Sequence, residues 1–492
     1  MNRINGLWYL HARAHKALRV PLTTGVLMKA SPQVLSAIIL VLLVEASLIY
    51  INQSTWRAAA TEPSTTPNLD WVNAWGGTKY ESANAVTTHS GAIYVAGRTL
   101  SFGDGLSNIF LLKYTGDGEL AWNRTWGGPS YNGCFGITAD DEGLYIAGYT
   151  YIEGNNNANV AILKYDFDGN LEWARTWGGA EDAVGRGVTL NGNGAVYVTG
   201  YLRGNTTTKS SFLLKYDESG KLAWNRTFGV EGVNALSVGV GDGVYVGGTN
   251  ENIKNGTWRS QMFLTKFDEA GSLLWSHEWG SNPVNDCWAV SVNGETIYQA
   301  GTTVDASGIY HTILLGYYPS GSLRFNVIWG KSDDNYVWGI SKDSDYVYLV
   351  GYIGGTGSSN DVLVSKFSAN GSQISNVTWG GKEADAARSV AVEGNNFYVS
   401  GMTYSYGKDS QAFTLKYTSV NKVTSLGASL SAAAATGIAV IALTVLFIKR
   451  LERTRNPIPV TATQRLLSNL CARIISKDNV IYMLLSREGG LS

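Results

Sequence analysis

Cysteine is scarce. Three residues in a chain of 492 (Cys134, Cys287 and Cys471) exclude a disulfide scaffold and show none of the paired spacing of a zinc site. Stability must therefore come from packing. Charge is sparse as well: charged residues make up 16%, the formal net charge is -1, and no acidic or basic block breaks the balance, so no nucleic-acid partner recognised through its phosphates is expected. The five histidines (His11, His15, His89, His277 and His311) are scattered, without a His-x-His or His-Glu-x-x-His pair. No metal site, cofactor or catalytic group can be assigned from residues so distributed.

What is present begins with two apolar stretches. Residues 34–51 read VLSAIILVLLVEASLIYI, about long enough to cross a bilayer, and residues 426–448 read LGASLSAAAATGIAVIALTVLFI, long enough to span with tilt. The preceding segment, 1–33, is basic (Arg3, Arg13, Lys16, Arg19, Lys29), and Lys449, Arg450, Arg453 and Arg455 follow the second stretch. The positive-inside rule then places both ends in the cytoplasm and everything between them outside the cell membrane. The sequons at Asn52, Asn123, Asn205, Asn225, Asn255, Asn370 and Asn376 all fall in that outer window, as glycosylation candidates should. The first stretch has two readings that the residues leave open. It is an anchor, or, starting from Met28, it is a signal peptide cleaved after Val44-Glu45-Ala46.

Between linkers 52–68 and 418–425, residues 69–417 carry an internal repeat. Trp-Gly recurs at Trp75, Trp126, Trp177, Trp279, Trp329 and Trp379, with Phe228-Gly229 in the gap, at spacings of 51, 51, 51, 51, 50 and 50. Each unit then runs through a short apolar stretch and a Tyr-Val-x-Gly strand ending at Gly97, Gly148, Gly200, Gly248, Gly301, Gly351 or Gly401. A variable Asn/Gly/Ser loop follows, then a Phe-Leu-Leu-Lys-Tyr strand and a turn into Leu-x-Trp-x-Arg-Thr-Trp. Period-two alternation with Gly and Asn punctuation predicts four short strands per unit. Seven such units without helical pattern predict an all-β, seven-bladed β-propeller. The last unit stops after three strands, and an orphan strand at Leu69 to Trp75 precedes the first, so pairing the two should close the ring.

The pattern Lys-Tyr-Asp-x-x-Gly-x-Leu-x-Trp-x-Arg-Thr-Trp-Gly-Gly resembles the seven-bladed β-propeller (SBBP) repeats of exported prokaryotic proteins, and more distantly those of pyrroloquinoline-quinone propellers. The likeness covers about 350 residues. It implies the fold and leaves function open, because propellers host many activities. The adjacent-cysteine element that the quinone resemblance would bring is missing.

Two sets of residues recur at fixed places. Six after the aromatic stand Glu81, Asn132, Asn234, Asn285, Asn335 and Asp385, with Asp182 one place earlier in its unit. Polar groups so placed are most simply turn formers bonding their own backbone, and a cation or ligand ring is the alternative. Nine after the aromatic the residue varies: Asn84, Phe135, Arg186, Ser237, Trp288, Trp338 and Arg388. Pointing sideways, these would be blade-to-blade packing, the plainer reading. Pointing into the channel mouth, Phe135, Arg186, Trp288, Trp338 and Arg388 would make a ligand site suited to stacking on sugars or gripping carboxylates. Cys134 and Cys287, three units apart, should be two separate buried thiols.

The tail, 449–492, is basic and partly helical: Leu466, Leu467, Leu470 and Ile474 keep helical spacing, and Asn479 to Arg487 ends at Gly489-Gly490. Its end is similar to the opening helix of a winged-helix domain without the recognition helix that should follow. An amphipathic helix on the inner leaflet is the plainer account. The function these features favour is a non-enzymatic cell-surface display module binding an extracellular protein or glycan. The alternative is a propeller enzyme or quinoprotein-like oxidoreductase, which needs ligands that the sequence does not show.

Overall fold

The Tyr-Val-x-Gly and Phe-Leu-Leu-Lys-Tyr stretches are apolar on both faces, and strands of that kind need cover on both sides. The computed structural model gives it to them. It describes residues 66–419, apart from 153–156, 205–208, 230–232, 255–256, 331–333, 355–358 and 408. These residues form 28 strands in seven four-stranded antiparallel sheets, a seven-bladed propeller. In the first blade the second and third strands, Ala92–Thr99 and Asn108–Tyr114, are almost wholly buried, whereas the outer strand, Leu120–Trp126, alternates between exposed and half-buried. The expected N- and C-terminal segments, both apolar stretches and Cys471 lie outside the described residues. Among the described residues no helix is long and apolar enough to cross a membrane.

Seven hydrophobic clusters hold the ring, one between each pair of neighbouring blades. The tyrosine of each second strand (Tyr94, Tyr145, Tyr197, Tyr245, Tyr298, Tyr348, Tyr398) is fully buried there. Closure follows the expected route: Asn68–Trp75 pairs antiparallel with Gln411–Thr418, completing the seventh sheet. Trp71 and Trp75 also pack on the cluster shared by blades seven and one.

The outer-strand motif Trp-x-Arg is a clamp on the next blade. Arg226 sends Nε to Gly271 O (2.9 Å) and Nη2 to Ala270 O (2.8 Å), in the turn between the third and fourth strands of the following blade. Arg124 and Arg175 make the same pair of bonds to Gly169 and Asp168, and to Gly220 and Ser219. Each guanidinium also lies 5.1–5.3 Å over the tryptophan two residues before it. The repeat signature is thus a docking code, in which one unit's Asp-x-x-Gly turn offers the carbonyls that its neighbour's arginine takes. Arg226→Ala is expected to lower stability by about 1–2 kcal/mol, the worth of two charge-assisted bonds discounted for exposure. Urea unfolding would measure it, and an unchanged midpoint would make the clamp ornamental.

Candidate functional site: the channel cavity

The first strand of each blade faces the central channel, and each carries a β-bulge. In blade two Cys134 pairs with Gly148 and Gly136 with Ala147, which leaves Phe135 over. The same slip leaves over Asn84, Arg186, Leu236, Trp288, Trp338 and Arg388. A bulge adds one unpaired residue and re-aims its side chain. Here all seven turn inward and line one cavity of about 210 Å³. Facing the channel does not rule out packing, because neighbours also touch across blades there: Arg186 lies over Phe135, Arg388 over Trp338, and Asn84 donates to Cys134 O. The glycine opposite each bulge is part of the device: at Gly148 a Cβ would press on the Gly133 carbonyl oxygen and stand 2.6 Å from Cys134 Cα.

Blade four departs from the sequence count by one place. Its bulged residue is Leu236, and Ser237 instead takes a hydrogen bond on Oγ from Val290 N (3.0 Å). The same offset moves Asn234: it pairs with Thr249, whereas the residue in register with Asn132 is Val233. In blade three Asp182 is one place early, and Ala183 holds the register position.

The remaining polar residues sit at the starts of the inner strands, away from the cavity lining. Glu81, Asn132, Asn285, Asn335 and Asp385 are buried. Glu81 accepts from Gly77 N (3.1 Å) and Thr99 Oγ1 (3.0 Å); Asp385 accepts from Gly381 N and Ser405 Oγ, both at 2.8 Å. Asn132 donates to Gly128 O and Ser107 O and accepts from Thr150 Oγ1, and Asn285 repeats this with Asn282 O, Ser260 O and Thr303 Oγ1. Asp182 Oδ1 accepts from Ala158 N (2.8 Å). These contacts tie the connector before the strand to the region of the second strand's end (Thr99, Thr150, Thr303, Ser405) or to that of the third strand of the preceding blade (Ser107, Ala158, Ser260), which is a structural task. Among the described residues no three His, Cys, Asp or Glu could together hold a metal ion. Cys134 and Cys287 are both buried and free, and burial pushes both thiols up, Cys287 to about 12, which leaves them inert packing groups.

Three arginines reach the cavity: Arg186, Arg388 and, from the second strand of blade one, Arg98. Among the described residues no carboxylate lines it. Arg186 lies 3.9 Å over the Phe135 ring and Arg388 3.7 Å over Trp338. Burial pushes the Arg186 guanidinium down to about 10, Tyr201 pulls the other way, and Arg388 adds to the fall. Burial lowers Arg388 too, with Tyr80 opposing. Both remain cations at neutral pH. Sequence reasoning missed Arg98 and Tyr149. Each directly follows the glycine of its Tyr-Val-x-Gly strand, where the residue also changes from blade to blade: Tyr201, Thr249, Thr302, Tyr352 and Met402. That variation was the available signal.

No protein-family model matches the chain. The regulatory protein FlaEY of Caulobacter vibrioides is 25% identical over 187 residues, covering 32% of this chain. The matched part is 20% of that relative, so the chain spans about a fifth of its length. Among solved structures the chain is similar to the WD40 β-propeller domain of Doa1, at a TM-score of 0.47 and 13% identity over 73% of this chain and 100% of that one. It is also similar to the β-propeller domain of the Trilobed protease from Pyrococcus furiosus, at 0.44 and 11% over 70% and 98%. These likenesses concern fold.

Of the sequons, Asn123, Asn225, Asn370 and Asn376 are exposed, on outer strands or the turns leading to them, while Asn52, Asn205 and Asn255 lie outside the described residues. Antiparallel order puts the starts of the inner strands, the cavity residues around them and the variable loops between second and third strands at one end of the propeller.

Proposed function

We propose that this chain is a non-enzymatic binding module of the SBBP type, displayed outside the cell by membrane segments 34–51 and 426–448 and taking an extracellular protein or glycan at its channel mouth. The observation that carries the reading is the convergence of seven bulged residues on one cavity, with aromatic rings, three guanidiniums and, among the described residues, no acid. A packing role would not require that composition, and a concave pocket lined by aromatic rings with a few convergent polar groups is the usual setting for a ligand. Topology is supported by the basic flanks of the two apolar stretches and by the confinement of sequons to the residues between them.

Labelled glycan and protein probes applied to intact cells carrying the full chain are expected to bind without permeabilisation. Trp288→Ala and Trp338→Ala should weaken that binding about tenfold or more, the scale of a lost aromatic anchor. Binding that needs permeabilised cells would overturn the topology. Equal binding by both variants would overturn the channel site.

A further inference from the structure

Resting on that reading, we propose that the channel cavity is a subsite for one carboxylate-bearing sugar, the uronic-acid unit of an acidic glycan, its carboxylate held between Arg186 and Arg388 and its ring laid on Trp288. Four features carry this.

Charge comes first. Cavity guanidiniums in native proteins are normally paired, because an uncompensated buried charge is costly. Among the described residues Arg98, Arg186 and Arg388 form no ion pair, and Nε of both Arg98 and Arg388 is buried without a hydrogen bond. The site holds positive charge that only an anion can offset, in a chain whose formal net charge is -1.

Geometry comes second. Phe135 and Trp338 each cover one face of a guanidinium, which leaves the in-plane N–H edges to make bidentate bonds to a planar anion. Trp288, half-buried in the same lining, has no ring or cation against it among the described residues, so its face is open to the apolar face of a pyranose. Size is third: about 210 Å³ falls below the roughly 300–1,000 Å³ of sites for drug-sized molecules, and suits a single ring with its carboxylate.

The last feature sets the site apart from those that capture a peptide's C-terminus. A peptide's terminal carboxylate is captured in a nest of backbone N–H groups, whereas here the cations come from three side chains on three blades. Ser82 and Asn84 are already committed to each other and to Cys134 O (2.8 and 2.9 Å), and Tyr80 spends its hydroxyl on Met402 Sδ, a weak acceptor that a sugar hydroxyl would displace.

The test titrates the full chain, by tryptophan fluorescence, with tetragalacturonate and with its methyl ester, the same oligomer without charge. The free acid is expected to bind at least about tenfold tighter. Arg186→Ala and Arg388→Ala should bring the acid down to the level of the ester, Arg388→Lys should recover part of the loss, and Trp288→Ala should weaken both ligands. A sulfated tetrasaccharide without carboxylates and an acetylated tetrapeptide with a free C-terminus form the comparison arms. Should Arg388→Ala fail to fold, judged by thermal melting, Arg388→Lys and Arg186→Ala carry the result. Ester binding as tight as acid, no binding of the acid, acid binding untouched by both arginine variants, or tighter binding of the sulfate or peptide would each overturn the uronate assignment. Ester binding as tight as the acid's, and lost in Trp288→Ala, would overturn it while leaving the binding-module reading in place.

Discussion

Gly351→Ala is expected to destabilise the propeller by about 3 kcal/mol or more, at the upper end of overpacking costs. Gly351 lies inside the second strand of blade six, Tyr346–Gly354, and pairs with Val337, the residue before bulged Trp338. A Cβ there would drive into the carbonyl oxygen of Tyr336 and stand 2.7 Å from its carbonyl carbon and 2.9 Å from Val337 Cα. All three are backbone atoms, so no side chain can swing aside to relieve the contact. The bulge must shift, and Trp338 with it, taking away the face that supports Arg388. Gly354→Ala, three residues on, is the control: its nearest neighbour would be Asp334 Cβ at 3.4 Å, an ordinary contact, and the change should stay within about 1 kcal/mol. Denaturant midpoints for the pair would decide the matter. A Gly351→Ala protein as stable as the Gly354→Ala protein would mean that the glycines do not make room for the bulges.

The same glycines show how far the sequence could be read. A period of 50 or 51 with four apolar stretches in each unit leaves one compact solution, and the incomplete last unit with its orphan partner names the seam, so blade number, strand order and closure were legible from spacing alone. What spacing could not give was direction. A bulge is a backbone event, marked only by the glycine it leans on, so residues nine after the aromatic could be selected as variable but not aimed. Counting also assumes equal connectors. From Phe228 the bulge arrives after eight residues rather than nine, which moved the true positions to Leu236 and Val233 and left Ser237 and Asn234 one place along. Arg98 escaped notice because it belongs to a second strand, where the fold supplies cavity residues through cross-strand pairing with Ser82 rather than through the repeat itself.

Deleting residues 68–75 is expected to be the most damaging change of all. That strand supplies seven register pairs to Gln411–Thr418, whose Phe413, Leu415 and Tyr417 belong to the core. It also carries Trp75, with ring centroids 4.7 Å from Phe110 and 4.9 Å from Phe102 of blade one. Truncating one buried tryptophan costs about 3–5 kcal/mol. Trp71 and Trp75 are half-buried, yet together with the lost ladder they account for a large share of the 5–15 kcal/mol that holds a typical domain folded. The bared edge of an apolar strand is also a template for pairing with another chain. Gel filtration should therefore show the deleted chain as strand-exchanged oligomers or aggregate, and a peptide of residues 68–75 added in trans should return part of it to monomer. A monomer with unchanged melting would mean that the ring is not held at this seam. Closure and site stand or fall together, because the cavity straddles the same join: Arg388 comes from blade seven, while Arg98, Asn84 and Tyr80 come from blade one or the connector leading into it. Opening the seam separates the guanidiniums that must share one anion, so the deleted chain should lose ligand binding even in whatever fraction keeps its other six sheets.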